Sequence, residues 1–342
     1  MARTQKTILA GDIGGTKTNL ALFSVQGDKL TLGIKKTFAS KDYPGLEPLL
    51  GEFLQDNTAQ IRSACFGVAG PVIDGKSKTP NLPWVLDVRE ISRSLGLGPV
   101  ALINDLEATG YGVLTLDAGE FVTLNEGLSQ REGNMALIAA GTGLGEAILF
   151  WDGSGYRPSA SEGGHSDFAP RTPIEIELLR YLIVRFGHVS FERVVSGPGL
   201  LNIYYFLKES NHFKEPPWLR ERFAGRDPCA VISEVALAEE AEICVQALDF
   251  FVSLYGAEAG NLALKAKAIR GLYIGGGIAP KILKKLKDGA FIRAFTDKGR
   301  FADFLSDIPV QVVLNDEAAL RGAAYYAGFR FGRVGESSGP EL

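Results

Sequence analysis

Two side chains that could bind a metal or a polar ligand stand close together in SEGGHSDF, a segment that holds one of only three histidines in the chain. Glu162 and His165 are separated by two glycines, and this spacing suits two chemistries. A carboxylate and an imidazole could be half of a metal site. They could equally bind the hydroxyl groups of a ligand from a loop whose glycines leave the backbone bare.

Ligand count argues against zinc in this segment. A structural zinc site needs about four protein ligands, and a catalytic site needs three. No cysteine follows the segment before Cys229, and the other two histidines, His188 and His212, fall in stretches that we expect to be helical. We therefore expect no bound zinc. Two alternatives remain: Glu162 and His165 bind a ligand, or Glu162 is solvated and His165 has a structural role.

A glycine-rich turn, DIGGTKT, begins at Asp12 and is a candidate phosphate loop. It is not a Walker A motif, because no glycine directly precedes Lys17 and the residues that follow are typical of a strand. A hairpin tip would instead let the backbone N–H groups of Gly14, Gly15 and Thr16 approach an anion. Asp12 is the type of ligand that a hydrated Mg²⁺ bridging phosphates requires.

A second turn of the same design, AAGTGLG, places Gly141, Thr142 and Gly143 between two apolar runs. It fails the dinucleotide fingerprint, because a strand follows where a helix should begin. An ordinary hairpin remains the alternative for either turn alone, but two matching tips favour phosphate binding. A third turn, IGGGIAP, contains Gly276 and Gly277 and could admit a flat purine against bare backbone.

A polar pair, Asn104 and Asp105, stands between the apolar run PVALIN and the helix-like run DLEATGYG. A helix N-cap requires an asparagine or aspartate at such a junction. From the pattern alone, capping is the favoured interpretation.

Hydrophobic periodicity predicts the elements that must position these residues. Strands are expected at 7–23 (on both sides of the first tip), 61–70, 99–104, 136–150 (on both sides of the second tip), 269–277 and 310–314. Helices are expected at 45–56, 105–112, 173–185, 197–208, 231–255 and 257–268, and after Asn315. The segments 8–23 and 136–150 look like weak internal duplicates, which suggests two similar lobes.

Composition excludes several classes of protein. The 342 residues are 46% apolar and 22% charged, which is typical of a packed globular protein. The 36 Lys and Arg against 40 Asp and Glu give a net charge of −4, which disfavours nucleic acid as a partner. No apolar run approaches the ~18 residues that a membrane span needs, and no signal-peptide core is evident. Three cysteines far apart form no disulfide framework, so we expect a cytoplasmic protein.

The motifs in combination resemble a known family. The stretch Asp12–Asn19, residues 140–145 and residues 275–280 resemble the two phosphate loops and the adenosine loop of the hexokinase/actin-type ATPase fold. Within that fold the chain is most similar to the bacterial glucokinases. The likeness runs from about residue 8 to 328 and includes the segments 67–72, 103–108, 161–170 (with Ser161 in place of a glycine), 188–200 and 297–310.

This resemblance implies a two-lobed α/β fold of the actin-like ATPase (ribonuclease H-like) type, with a cleft between a small and a large domain. The small domain would take residues 1–114 and a closing helix at 318–332. The large domain would take residues 115–317, and we expect the polar tail 333–342 to be disordered.

The implied activity is ATP-dependent phosphorylation of glucose to glucose 6-phosphate, with Asp105 as general base. Asn104 could still cap its helix while Asp105 faces the sugar. The implied sugar ligands are Asn104, Asp105, Glu162, His165 and Glu192. A first-turn carboxylate favoured by the helix dipole is the alternative for Glu192.

The implied nucleotide ligands hold phosphates at the two tips and adenosine at the third turn. They are Asp12 (through Mg²⁺ and water), Gly14, Gly15, Thr16, Lys17, Gly141, Thr142, Gly143, Gly276 and Gly277. Three alternatives remain open: a kinase for another hexose, a kinase with another phosphoryl donor, and a non-catalytic sugar-sensing actin-like ATPase. A homodimer is an expectation that the residues themselves do not decide.

Overall fold

The computed structural model describes residues 6–27, 29–55, 60–79, 82–128 and 131–330, and the expected tail at 333–342 lies outside them. Strands and helices are interspersed throughout, so the fold is mixed α/β. The chain forms two compact units. The first contains the described residues of Met1–Ala118, Arg157–Ser159 and Asn315–Leu342, and the second those of Gly119–Tyr156 and Ala160–Leu314.

The strands and helices of the described residues are numbered in chain order. The strands are β1 (Lys6–Ile13), β2 (Lys17–Gln26), β3 (Lys29–Ala39), β4 (Ile61–Val68), β5 (Lys76–Lys78), β6 (Val85–Asp87), β7 (Val100–Asn104), β8 (Phe121–Asn125), β9 (Met135–Ala140), β10 (Leu144–Trp151), β11 (Tyr156–Ser161), β12 (Gly271–Gly275) and β13 (Val310–Val313). The helices are α1 (Leu46–Gln55), α2 (Val88–Leu95), α3 (Asp105–Val113), α4 (Pro173–Phe186), α5 (Gly197–Glu209), α6 (Pro217–Phe223), α7 (Pro228–Leu237), α8 (Glu242–Ala266), α9 (Leu283–Leu286), α10 (Ala290–Thr296), α11 (Ala302–Ser306) and α12 (Ala318–Tyr325). Within this part of the chain, no helix has both the length and the apolar character that crossing a membrane requires.

The first unit is built on a five-stranded sheet with the order β3-β2-β1-β4-β7. β1 and β2 form the predicted antiparallel hairpin, and β1, β4 and β7 run parallel. Ile13 pairs with Val68, which pairs with Asn104. Because parallel strands end at the same edge, the first glycine tip and the Asn104–Asp105 pair lie at one edge of this sheet.

The two faces of this sheet are both buried, which follows from the alternation of side chains along each strand. On β1, Leu9 and Ile13 pack into the cluster that includes α1, whereas Ile8 and Ala10 pack on the opposite face. The helices α3 and α12 supply that opposite face with side chains such as Tyr111. A sheet covered on both faces holds the ends of its strands rigidly.

The second unit is built on a six-stranded sheet with the order β11-β10-β9-β12-β13-β8. β9 and β10 form the second predicted hairpin, and β12 runs parallel to β9. Gly275 pairs with Ala139, one residue before the end of β9. The second tip and the third glycine turn therefore leave the sheet at the same edge.

The expected boundary between two helices at residue 256 is wrong. α8 runs without interruption from Glu242 to Ala266, and the break falls earlier, between α7 and α8. Gly256 lies inside α8 because α10 crosses there: an added Cβ would meet the carbonyl oxygen of Phe291 well inside van der Waals distance. At Gly260 an added Cβ would lie 2.5 Å from the carbonyl oxygen of Phe295. These glycines allow close helix packing and do not end the helix.

We expect Gly256→Ala to lower the free energy of unfolding by about 1–3 kcal/mol, because the added methyl group forces α8 and α10 apart. Gly51→Ala on α1 is the matched control, since an added Cβ there meets no atom within 4 Å. Its gain in helix propensity should stabilise the protein by up to about 1 kcal/mol. Thermal or urea unfolding measures both, and equal effects at the two sites would contradict the packing argument.

Candidate functional site

The first tip is closed by its own backbone and braced from outside the hairpin. The Gly14 N–H donates to the carbonyl of Lys17 at 3.0 Å. Ser40, which is buried, donates its N–H to the carbonyl of Thr16 (3.0 Å) and its hydroxyl to the carbonyl of Gly14 (2.8 Å). The sequence pattern did not reveal this contribution of Ser40. The two hydrogen bonds hold the carbonyl groups of Gly14 and Thr16 against Ser40, and they thereby fix the backbone conformation of the tip.

Asp12 is half-buried near the end of β1, and its carboxylate accepts a hydrogen bond from Asn19 Nδ2 at 3.4 Å. Burial raises the pKa of Asp12 above its ordinary value, while the Asn19 hydrogen bond and the charge of Lys35 lower it. A nearby cation would offset this desolvation, so the residue fits a hydrated Mg²⁺. No group of three or more His, Cys, Asp or Glu is arranged to hold a metal in the part of the chain described. Mg²⁺ would thus depend on water and phosphate oxygens for its other ligands.

Asn104 is the N-cap of α3, as the pattern predicted. Its Oδ1 accepts from the N–H groups of Leu106 (2.8 Å) and Glu107 (3.4 Å), and its Nδ2 donates to the carbonyl of Gly70 (3.1 Å). Asp105 is the first residue of α3, half-buried, with its Oδ1 3.0 Å from the N–H of Leu106. The capping function therefore belongs to Asn104, and the carboxylate of Asp105 is not needed for it.

The second tip is also closed by a backbone hydrogen bond, from the Gly141 N–H to the carbonyl of Gly143 at 2.8 Å. The hydroxyl of the buried Tyr255 accepts from the N–H of Ala140 at 3.2 Å. The N–H of Gly197, the first residue of α5, donates to the carbonyl of Gly141 at 2.8 Å. The tip is thus anchored to α8 and α5 as well as to its own hairpin.

A cavity of about 840 Å³ lies beside this tip, within the size range of sites for small ligands. Its lining includes Gly141, Thr142, Cys229, Ser233, Gly277 and Lys281. Gly276 reaches the tip with φ of +82°, and an added Cβ would clash with the backbone of Ala140, so only glycine fits. The structure therefore brings the second tip and the third glycine turn together, as the phosphate and adenosine assignments require.

One side of this cavity is formed by α7, with Cys229 and Ser233 among its lining residues, and the sequence did not predict this contribution. Burial raises the pKa of the Cys229 thiol to about 11, with the charge of Asp227 as a smaller cause. The thiol is therefore protonated at neutral pH, and it donates to the carbonyl of Gly197 at 3.0 Å. Cys229 packs as a neutral wall residue.

Glu162 precedes a single turn of 3-10 helix, Gly163–His165, and His165 ends it; both side chains are exposed (73% and 60%). Their Oε2 and Nε2 atoms are 4.0 Å apart. Gly164 is buried, and an added Cβ there would collide with the carbonyl of Leu144 on β10. The glycines thus let the turn lie on β10 and present Glu162 and His165 outward, where they can reach a polar ligand.

Glu192 lies in another 3-10 turn, Phe191–Arg193, and its Oε2 accepts from the backbone N–H of Leu144 at 3.1 Å. An added Cβ at Gly143 would lie 2.5 Å from the same oxygen. Glu192 also lies in the first turn of this short helix, so the alternative from the sequence, a first-turn carboxylate, is compatible with its position. Its contact with Leu144 connects the second tip to the Glu162–His165 turn through β10.

Two histidines lie elsewhere than expected. His188 follows the end of α4 and His212 follows the end of α5, so neither belongs to a helix. The Nε2 of His188 is 3.3 Å from the carbonyl oxygen of His165, and its Nδ1 is 3.4 Å from the carboxylate of Asp167. The two preceding helices end within one residue of their expected ends, at Phe186 and Glu209, so both histidines lie in the loops that follow.

Each unit collects part of the predicted site. The first unit holds Asp12, the first tip and the Asn104–Asp105 pair at one sheet edge. The second unit holds the second tip, the third glycine turn, Glu192 and the Glu162–His165 turn around β9 and β10.

The family model for glucokinase matches residues 9–329 of this chain. A glucokinase of Nostoc sp. is 42% identical over 336 residues, which cover 94% of this chain and 98% of the relative. The crystal structure of a glucokinase from an Antarctic psychrotroph superimposes with a TM-score of 0.83 at 31% identity, covering 94% of this chain and 98% of that one. A ROK family glucokinase from Streptomyces griseus, solved in complex with glucose and AMPPNP, shares the fold at a TM-score of 0.61 and 21% identity, covering 94% of this chain and 99% of that one.

These similarities define an α/β sugar kinase. The chain belongs to the glucokinase family, and the expectation drawn from its motifs is confirmed.

The expected absence of zinc stays a prediction, with Glu162 and His165 as its subject. Metal analysis after brief chelation should find substoichiometric zinc, and Mg²⁺ alone should restore activity. Stoichiometric zinc that survives chelation would contradict it.

The contact of Glu192 with Leu144 predicts different effects for two substitutions. Glu192→Ala removes a charged hydrogen-bonding group worth about 1.5–3 kcal/mol, so kcat/KM for glucose should fall about ten- to a hundredfold. Glu192→Gln keeps an oxygen that can accept from Leu144 and should lose less. Steady-state kinetics with glucose varied at saturating ATP make the comparison, and wild-type values for the alanine variant would show that Glu192 is structural only.

Proposed function

We propose that this protein is an ATP-dependent glucokinase that transfers the γ-phosphoryl group of ATP to the 6-hydroxyl of glucose, with Asp105 as general base. The observation that carries the proposal is the convergence of the first tip and the Asn104–Asp105 pair at one sheet edge. A phosphate-binding turn and a carboxylate fixed by parallel strands in register are the two parts that in-line transfer to a hydroxyl requires.

The phosphates of ATP lie against the two hairpin tips. Backbone N–H groups of Gly14, Gly15 and Thr16, with Lys17 beside them, bind from the first unit, while Gly141, Thr142 and Gly143 bind from the second. Adenosine occupies the cavity beside Gly276 and Gly277. Asp12 would hold Mg²⁺ through water, and the ion would neutralise charge that builds up on the phosphates.

Glucose is oriented by groups that pair with its hydroxyls. Glu162 and Glu192 accept hydrogen bonds, and a neutral His165 can donate or accept. Asn104 keeps one Nδ2 hydrogen for the sugar, because the carbonyl of Gly70 takes only one of the two. Asp105 accepts the proton of the 6-hydroxyl as the phosphoryl group arrives, so that the attacking oxygen gains electron density.

The proposal includes the finer architecture implied by the family. The protein has the two-lobed actin-like ATPase (ribonuclease H-like) fold, with residues 1–114 and 318–332 in a small domain, residues 115–317 in a large domain, and a cleft in which the two sets of ligands meet one glucose. Closure of the cleft would exclude water and limit wasteful hydrolysis of ATP. The enzyme would act in the cytoplasm, and a homodimer is its proposed assembly.

Two assays distinguish glucose from other hexoses and ATP from other phosphoryl donors. A coupled assay of ADP release over a panel of hexoses tests the substrate, and comparison of ATP with ADP and polyphosphate tests the donor. Rapid turnover of glucose with ATP is the expected result. Binding of sugar with no turnover would favour the non-catalytic sugar-sensing alternative.

Substitution of Asp105 by asparagine separates base catalysis from structure. Because Asn104 supplies the cap and an amide oxygen can replace the bond to Leu106, Asp105→Asn should fold with near wild-type stability. An amide cannot take the proton of the hydroxyl, so kcat should fall at least about 10²–10⁴-fold while glucose still binds. The measurements are kcat, glucose affinity by calorimetry, and the thermal midpoint. Turnover near the wild-type rate in a folded, glucose-binding variant would refute the assignment.

A further inference from the structure

The turn that carries Glu162 and His165 rests on a buried pair of carboxyl groups that the mechanism above does not use. Glu146 on β10 is 1% exposed, and Glu258 on α8 is 0% exposed. Oε1 of Glu146 and Oε1 of Glu258 are both buried and have no hydrogen-bond partner among the described residues, and the charge of Glu258 acts on Glu146. Two buried carboxylates that act on each other cannot both be charged without desolvation and mutual repulsion, so the pair favours the state that carries one proton.

The surrounding charges determine which member keeps the proton. Asn261 donates to Glu258 at 2.8 Å, Lys265 lies 3.8 Å from it, and the charge of Lys298 also acts on it, so Glu258 is the better anion. Near Glu146 the groups on α8 are Glu258, the more remote Lys265 and the neutral phenol of Tyr255.

Burial first, and the negative charge of Glu258 second, raise the pKa of Glu146 to about 8. Burial also raises the pKa of Glu258, whereas Asn261 and Lys265 lower it. Glu146 is therefore the neutral member of the pair at pH 7, and Glu258 is the anion.

The sugar-binding turn packs directly on Glu146. An added Cβ at Gly163 would lie 2.9 Å from Cδ of Glu146 and closer still to its Oε2, so the turn lies directly against this carboxyl group. The hydroxyl of Ser161 donates to the carbonyl of Glu146 (3.5 Å) and accepts from the N–H of Gly163 (3.2 Å). Both the main chain and the side chain of Glu146 thus determine where Gly163 lies.

We propose that Glu146 is a positioning residue for glucose, which acts through Gly163 by holding Glu162 and His165 at their working separation as long as it shares a proton with Glu258. This inference rests on the proposed glucose site. When Glu146 ionises, two buried negative charges face each other, and their repulsion moves the carboxylate beneath Gly163. Displacement of the turn weakens glucose binding without reaching the nucleotide cavity.

The sign of the pH effect follows from the direction of the shift. The pKa of Glu146 is higher in the folded protein than the ordinary value, so its contribution to stability is present in acid and is lost as pH rises through about 8. Glucose affinity should fall over the same range. Glutamine has the shape of the protonated carboxyl group and can donate to Glu258, but it does not ionise.

The experiment compares wild type, Glu146→Gln and Glu146→Ala in KM for glucose, KM for ATP and kcat, at about pH 7 and about pH 9.5. We expect the wild-type KM for glucose to rise about tenfold between these values, and the glutamine variant to keep a constant KM. The alanine variant should show a KM for glucose raised about tenfold at both values, with KM for ATP unchanged within about twofold. Glu221→Ala, at an exposed carboxylate on α6, is the control and should follow wild type.

Two results would overturn the inference: an alkaline rise in KM for glucose that persists in Glu146→Gln, or a wild-type KM in Glu146→Ala at neutral pH. If the alanine variant does not fold, the comparison of wild type with the glutamine variant decides alone. Failure of wild type to phosphorylate glucose with ATP is a distinct result that refutes the proposed function instead. Thermal midpoints at both pH values show whether any change in KM arises from unfolding.

Discussion

Packing on the first residues of β10 is the constraint on which the second unit's site depends. The N–H of Leu144 donates to Glu192, its carbonyl lies beneath Gly164, and the carboxyl group of Glu146 lies beneath Gly163. β10 lies between β11 and β9, so it cannot shift without breaking hydrogen bonds to its neighbours. The three contacts on it are therefore held in fixed positions relative to one another. The distance between Glu192 and the neighbouring turn is therefore determined by regular structure, although both lie in loops.

The first unit also holds its candidate site residues in fixed positions, but it does so through the ends of its parallel strands. Its candidate site residues follow directly from the ends of parallel strands. Gly67 on β4 lets α3 begin close to the sheet, since an added Cβ would lie 2.9 Å from that of Ala108. Asn104 uses both ends of its amide, one for the cap of α3 and the other for the carbonyl of Gly70. Asp105 is thereby placed in the first turn of α3, at the positive end of the helix, where a carboxylate is favoured, as the proposed general base requires.

Local patterns were enough to predict the two hairpin tips and the cap at Asn104, because each depends on neighbours in the sequence. The continuity of α8 could not be predicted, since Gly256 breaks a helix in isolation and permits a helix crossing only when α10 is present. The brace from Ser40 and the pairing of Glu146 with Glu258 join residues far apart in the chain. A single sequence carries no local signal for such contacts.

Two glutamates at the Glu162–His165 turn, Glu162 and Glu146, differ in burial and therefore in the hydrogen bonds that they can make. Glu162 is exposed, so its carboxyl oxygens can accept hydrogen bonds from a ligand. Glu146, beneath the same turn, has no water to solvate a charge, and its neutral form can donate a bond to Glu258. The glycine pair that first suggested a metal site is explained by what lies under it, because Leu144 and Glu146 leave no room for side chains at Gly163 and Gly164. A turn with no Cβ on its inner face can rest on a carboxyl group and still direct Glu162 and His165 outward, as the proposed contacts with a sugar require.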